Sequence, residues 1–143
     1  MGLDMYLSAK RYIWSTETEL ADQVGKLFPE LQGKRVKEIV VEAMYWRKSN
    51  QIHAWFVKNC QSGMDDCKAY YVSRKSLEEL RDLILKVLAE DNADLLPPQS
   101  GFFFGSDQVD PYYWDDLRTT AEHLGKILSD FSDDWEFEYQ SSW

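Results

Sequence analysis

The amino-acid sequence predicts an α+β fold: one domain spanning residues 1–143, with about four strands in a mixed or antiparallel sheet and helices packed mainly on one of its faces. Three observations predict it. Apolar residues alternate with polar ones at both ends of the chain, stripes of helical period fill the middle, and no repeat, linker or low-complexity tract interrupts them. The expected order is β-α-β-α-β-α-α-β.

Leu3, Met5, Leu7 and Ala9 alternate with Asp4, Tyr6, Ser8 and Lys10, the period of a half-buried first strand. Thr16 and Glu19 have the spacing of a capping box; Leu20, Val24, Leu27 and Phe28 follow at helical spacing, and Pro29 closes a short first helix. Val36 to Trp46 is rich in β-branched and aromatic residues at both alternating positions, which predicts a central strand covered on each side. Ser49 or Asn50 can cap a second helix carrying Ile52, Trp55, Phe56 and Asn59 on one face and His53, Val57 and Cys60 on the adjoining one. After a loop with Gly63, Asp65 and Asp66 comes a short strand, Ala69 to Val72. Ser73 or Ser76 then caps a third helix with the stripe Leu77, Leu80, Leu83, Ile84, Val87 and Leu88.

From Asp91 to Gly105, two prolines and two glycines surround Phe102, Phe103 and Phe104, the pattern of an ordered loop pinned by buried rings. Asp110 followed by Pro111 opens a fourth helix, whose buried face is Trp114, Leu117, Ala121, Leu124, Leu128 and Phe131. Trp135, Phe137 and Tyr139 alternate with Glu136, Glu138 and Gln140 in a last strand.

Charge and composition narrow the classes of function. With 25 acidic against 16 basic residues, the net charge of −9 repels nucleic acid and anionic lipid, so no direct nucleic-acid binding is expected; a partner protein with a basic surface is attracted instead. No stretch approaches the roughly 18 apolar residues of a membrane span and none has signal-peptide character, which predicts a cytoplasmic protein. Cys60 and Cys67 are then expected to stay reduced. Together with His53 and His123 they could supply four zinc ligands, but they lack close pairs such as C-x2-C; no metal and no cofactor are predicted.

The richest polar block runs from Tyr45 to His53, across a strand end into a helix start. Free backbone N–H groups, the helix dipole, Arg47 and Lys48 would attract a phosphate or carboxylate; Tyr45 or Trp46 could stack on a planar group, and Asn50 and His53 could complete the site. Ser106 and Tyr113, from the glycine-containing loop and the helix after it, are the candidates to close it. Against this stands a reading in which Trp46, Trp55 and Phe56 are core, Arg47 and Lys48 a solvated turn, and His53 a hydrogen-bonded interior residue. Catalytic patterns are sparse. Glu42 with Asp110 could form a carboxylate pair and Cys60 with His53 a nucleophile pair, yet neither has an orienting third group, and Ser100 and Ser106 lack a G-x-S-x-G elbow.

Four blocks, MGLDMYL, YWRKSNQIHAWFV, LPPQSGFFFGS with DPYYWDDL, and FEYQSSW, resemble a family of small, largely uncharacterised proteins of tailed phages and prophages. The resemblance runs end to end and implies a protein that acts in the host cytoplasm by binding. Three functions are therefore expected in turn: an inhibitor of a host defence, of the anti-CRISPR kind, that binds a basic host protein; a sponge for a small phosphorylated ligand or nucleotide; and a small hydrolase of such a ligand with His53 or Glu42 as base.

Overall fold

A computed structural model describes residues 2–101 and 103–143. The strands are β1 (Asp4–Tyr12), β2 (Glu38–Arg47), β3 (Tyr70–Val72) and β4 (Trp135–Ser142), in the spatial order β2-β1-β4-β3, with every neighbouring pair antiparallel. The helices are α1 (Thr18–Gly25), α2 (Asn50–Cys60), α3 (Arg74–Glu90) and α4 (Pro111–Asp130). The fold is α+β, as the sequence predicts.

Alternation in β1 puts Met5, Leu7 and Ala9 on the covered face, where they join residues from α2, α3 and α4 in one core. From α3, Leu77, Leu80, Ile84 and Val87 are buried; from α4, Leu117, Leu124 and Ile127; from β4, Phe137 and Tyr139. Both long helices start as their caps dictate. Ser73 Oγ accepts the Ser76 N–H at 3.0 Å, and Asp110 Oδ1 accepts that of Tyr113 at 3.0 Å, with Pro111 in the first turn.

Two expectations need correction. β2 is an edge strand, not a central one, and its more deeply buried apolar residues share one face, while Val40 and Tyr45 are exposed on the other. The cause is a bulge: Leu7 pairs with Met44 while Ser8 pairs with Glu42, leaving Ala43 as the extra residue. Parity switches there, so that Ile39 and Val41 before the bulge and Met44 and Trp46 after it all face the helices. A run that mimics two-sided burial is one-sided burial with a slip of one residue.

The second correction concerns the first helix. Thr16 does not cap α1; the N-cap position is Glu17, with no side-chain cap. The Glu17 carboxylate instead accepts from the Arg11 guanidinium and the Trp14 N–H, each at 2.9 Å. α1 ends at Gly25, so Leu27 and Phe28 lie beyond it, 69% and 58% exposed. From Trp14 to Arg35 no residue is buried, and this excursion between β1 and β2 has an apolar stripe with no core of its own to cover it.

The loop after α3 is ordered, but Phe103 and Phe104 are only partly buried, and Phe102 lies outside the described residues. Backbone hydrogen bonds hold it as much as rings do. Leu3 N donates to Phe103 O at 2.9 Å, and Lys48 N donates to Leu3 O at 2.7 Å, joining the chain's start, the loop and the β2–α2 junction.

Candidate functional site

The sequence-predicted residues from Tyr45 to His53 divide among four environments. Strand alternation sends Tyr45 and Arg47 to the uncovered face of the sheet. There the Tyr45 hydroxyl donates to Asp4, Arg47 donates to the same carboxylate at 2.8 Å, and the Tyr45 ring lies against Tyr6, centroids 5.4 Å apart. These bonds, Tyr45's first and then Arg47's charge, hold the Asp4 carboxyl below its usual range, and the bond to Asp4 raises the Tyr45 phenol. Trp46 points inward and its indole N–H donates to Thr120 Oγ1 at 2.8 Å.

Arg47, Lys48, Asn50, Ser106 and Tyr113 do converge, around a cavity of about 270 Å³ at the N-terminus of α2. Asp110 and Asp116 line it as well. Two cations thus face two carboxylates, Arg47 is already paired with Asp4, and Ser49 at the N-cap donates to Asp116 at 2.7 Å. Burial raises the Asp116 carboxyl, with Asp110 and Asp115 adding to the rise against the Ser49 bond. The positive end of the helix already has anions beside it.

Asn50 is a clamp. Its Nδ2 donates to Phe104 O at 3.0 Å and Ser106 O at 2.8 Å, while its Oδ1 accepts the Gln99 N–H at 2.9 Å, which leaves little capacity for a ligand. Tyr113 is 4% exposed, donates its hydroxyl to Leu96 O at 2.7 Å, and has its phenol raised by burial to about 12. A larger cleft of about 830 Å³ is lined by α2 and by the same loop, and Gln51 borders both spaces.

His53 belongs to that second cleft and is 1% exposed. Its Nδ1 lies 2.6 Å from the Tyr139 hydroxyl and its Nε2 2.9 Å from Asp65 Oδ2. Asp65 Oδ2 accepts from Nε2 in the pairing in which Tyr139 donates to Nδ1. Burial raises the Tyr139 phenol, which keeps its proton and donates to Nδ1. Trp143 Nε1 donates to the other Asp65 oxygen at 3.0 Å, completing an array from the buried Tyr139 within β4 to the surface. Cys60 is not hydrogen-bonded to His53, and burial raises its thiol.

Sequence reasoning missed a third region, at the opposite end of the sheet. Lys10, Arg11, Tyr12, Trp14, Glu17, Glu38, Asp133, Asp134 and Glu136 line a groove of about 480 Å³. Trp14 is 65% exposed and packs edge-on against Tyr12 with centroids 4.7 Å apart; the Arg35 guanidinium lies 5.8 Å from the Tyr12 centroid. Arg11 pairs with Glu17 at 2.9 Å and approaches Asp134 at 3.8 Å, Asp133 meets Arg74 at 3.2 Å, and Glu38 and Glu136 have no ion-pair partner among the described residues. A tryptophan just after a strand, within an acidic sequence, was the available signal.

Among the described residues no His, Cys, Asp and Glu side chains group in a way that could hold a metal ion, and no helix is long and apolar enough to cross a membrane. No protein-family model matches the chain, and neither does any curated protein or solved structure.

Proposed function

We propose that the protein works by binding a partner protein through a basic surface, with the groove at the sheet end as the contact. The observation that carries this reading is the exposed Trp14–Tyr12 pair set among carboxylates. Exposed tryptophan is uncommon and is enriched where partners dock. Lysine or arginine from a partner would meet ring faces and the unpaired Glu38 and Glu136 together, and Arg35 over Tyr12 is an intramolecular instance of the same contact. The neighbouring excursion, with Leu27 and Phe28 exposed, offers apolar area to the same partner. The resemblance to phage proteins supplies the setting, a host protein whose basic surface the phage product occupies, in the manner of an anti-CRISPR inhibitor.

The test compares the wild-type chain with Trp14→Ala and with Glu38→Lys/Glu136→Lys, using Arg47→Ala as a control on a different surface. Bacterial lysate passed over each immobilised protein should yield a basic protein on wild type and on Arg47→Ala that both groove variants lose. A direct titration of the captured protein should then show binding weakened at least about tenfold by either variant, the loss expected of a central aromatic or paired charge. Equal binding by all four proteins would refute the reading.

A further inference from the structure

The sheet has two edges, and they are finished differently. β3 has three residues, a length that leaves almost nothing to pair with. β2 has ten, EIVVEAMYWR, with no proline and no lysine among them, and it pairs only with β1. Away from a bulge, every second residue of an edge strand turns its N–H and C=O outward. Among the described residues, no backbone or side-chain group bonds the outer side of β2. A groove of about 550 Å³ lies beside its second half, with Met44 and Trp46 on the strand side and Asp115, Asp116 and Thr119 on that of α4. An open strand edge flanked by a helix is a setting in which an extended peptide adds to a sheet.

Charge selects the occupant. Glu38 and Glu42 stand on the uncovered face of the strand, opposite Tyr12 and Ser8 of β1, and neither has an ion-pair partner among the described residues. Glu42, Asp115 and Asp116 all line the groove, whose one arginine, Arg47, is already paired with Asp4. A second copy of the chain fits this edge poorly. The register that pairs the whole strand with itself sets Glu38 opposite Arg47 and makes the two Glu42 side chains neighbours at the two-fold axis, between molecules that each carry −9. We infer that β2 takes an extended basic segment of another protein as a fifth, antiparallel strand. Two cations four residues apart would stand opposite Glu38 and Glu42, with a β-branched residue between them opposite Val40 and apolar side chains opposite Ile39 and Val41 on the covered side. The residues before them would enter the groove toward Asp115 and Asp116. This surface goes beyond the Trp14 groove, which it meets only at Glu38, and either can fail without the other.

The experiment titrates the full chain with the capped peptide Thr-Val-Thr-Val-Lys-Val-Thr-Val-Lys, following backbone amides by NMR. Amides of alternate β2 residues should shift and exchange more slowly, while those of β3 stay as they are. Glutamate in place of both peptide lysines should abolish binding, and Glu42→Lys, a change at an exposed side chain, should weaken it about fivefold. N-methylation should abolish binding when placed on one alternate set of the peptide's amides and spare it when placed on the other, because only one set faces β2. Trp14→Ala should bind as wild type does. The proposal is overturned if no β2 amide moves at millimolar peptide, if Glu42→Lys binds as wild type does, or if the two methylated forms bind alike. Shifts confined to the residues around Trp14 overturn it too, and leave the partner-binding groove standing. So does a dimer of the free protein, seen by light scattering, in which the β2 amides are already protected.

Discussion

At the scale of single residues, the interior polar groups divide into satisfied networks and open valences, and the two respond differently to substitution. Tyr139 and Asp65 hold His53 at both ring nitrogens in the interior. Tyr139→Phe keeps the ring stacked on Phe56, whose centroid is 4.0 Å away, and removes only the hydroxyl. The cost is then that of an unsatisfied imidazole nitrogen, about 1–3 kcal/mol, which urea unfolding would register as a lower midpoint with unchanged slope. A midpoint equal to wild type would mean that the Tyr139–His53 bond contributes nothing. Residue types at this scale were largely legible. Serine and aspartate before apolar stripes announced the caps of α3 and α4, whereas the His53 partners come from 86 and 12 positions along the chain and follow no local pattern.

Asp116 titrates in a way that its place on a helix surface hides. Its carboxyl is raised above the ordinary 3.8 chiefly by burial. The folded state therefore binds this proton more tightly than the unfolded chain does. Stability from the group is present below the unfolded value and is lost as pH rises through the folded one. Asp116→Asn keeps an oxygen for Ser49 and cannot ionise. Unfolding free energies across a pH series should show the variant gaining on wild type as pH climbs above 3.8, then holding a constant lead. A difference that is flat with pH would remove the burial argument.

At the scale of elements, the period of hydrophobicity located the four α-helices and the first and last strands, and pairing decided what those elements do. Helical stripes in α3 and α4 were legible because three or more turns repeat the same message. β2 was read as two-sided because the bulge at Ala43 changes parity in mid-strand, and only its partner β1 reveals the slip. The candidate site met a similar limit. Arg47 and Trp46 are neighbours in sequence and opposite in space, and Asn50, placed at a helix start, is consumed by a loop from 49 to 56 residues away. Asn50→Ala removes three hydrogen bonds to that loop at once. It should cost about 2–4 kcal/mol, each net bond contributing roughly 0.5–1.5 kcal/mol. Hydrogen exchange should quicken at Gln99, whose amide loses its acceptor, while amides of the β1–β4 ladder keep their order of protection. Unchanged exchange at Gln99 would show that the Leu3–Phe103 bond holds the loop unaided.

At the scale of the whole molecule, charge opposes folding and promotes association, so added salt should move the two in opposite directions. Ion pairs such as Lys75–Glu79 and Arg118–Asp115 join side chains that are mostly exposed, and pairs of that kind contribute little. The net charge of −9 acts over longer distances and pushes the chain apart. Raising potassium chloride from about 0.01 M to about 1 M shortens the screening length from about 30 Å to about 3 Å. The melting temperature should therefore rise by a few degrees. Capture of a basic partner at the Trp14 groove should weaken over the same range, since the field that steers it is screened. A melting temperature that falls with salt would mean the local pairs outweigh the global repulsion; capture that survives 1 M salt would place the binding energy in the apolar surface of Leu27 and Phe28 instead of in the carboxylates around Trp14.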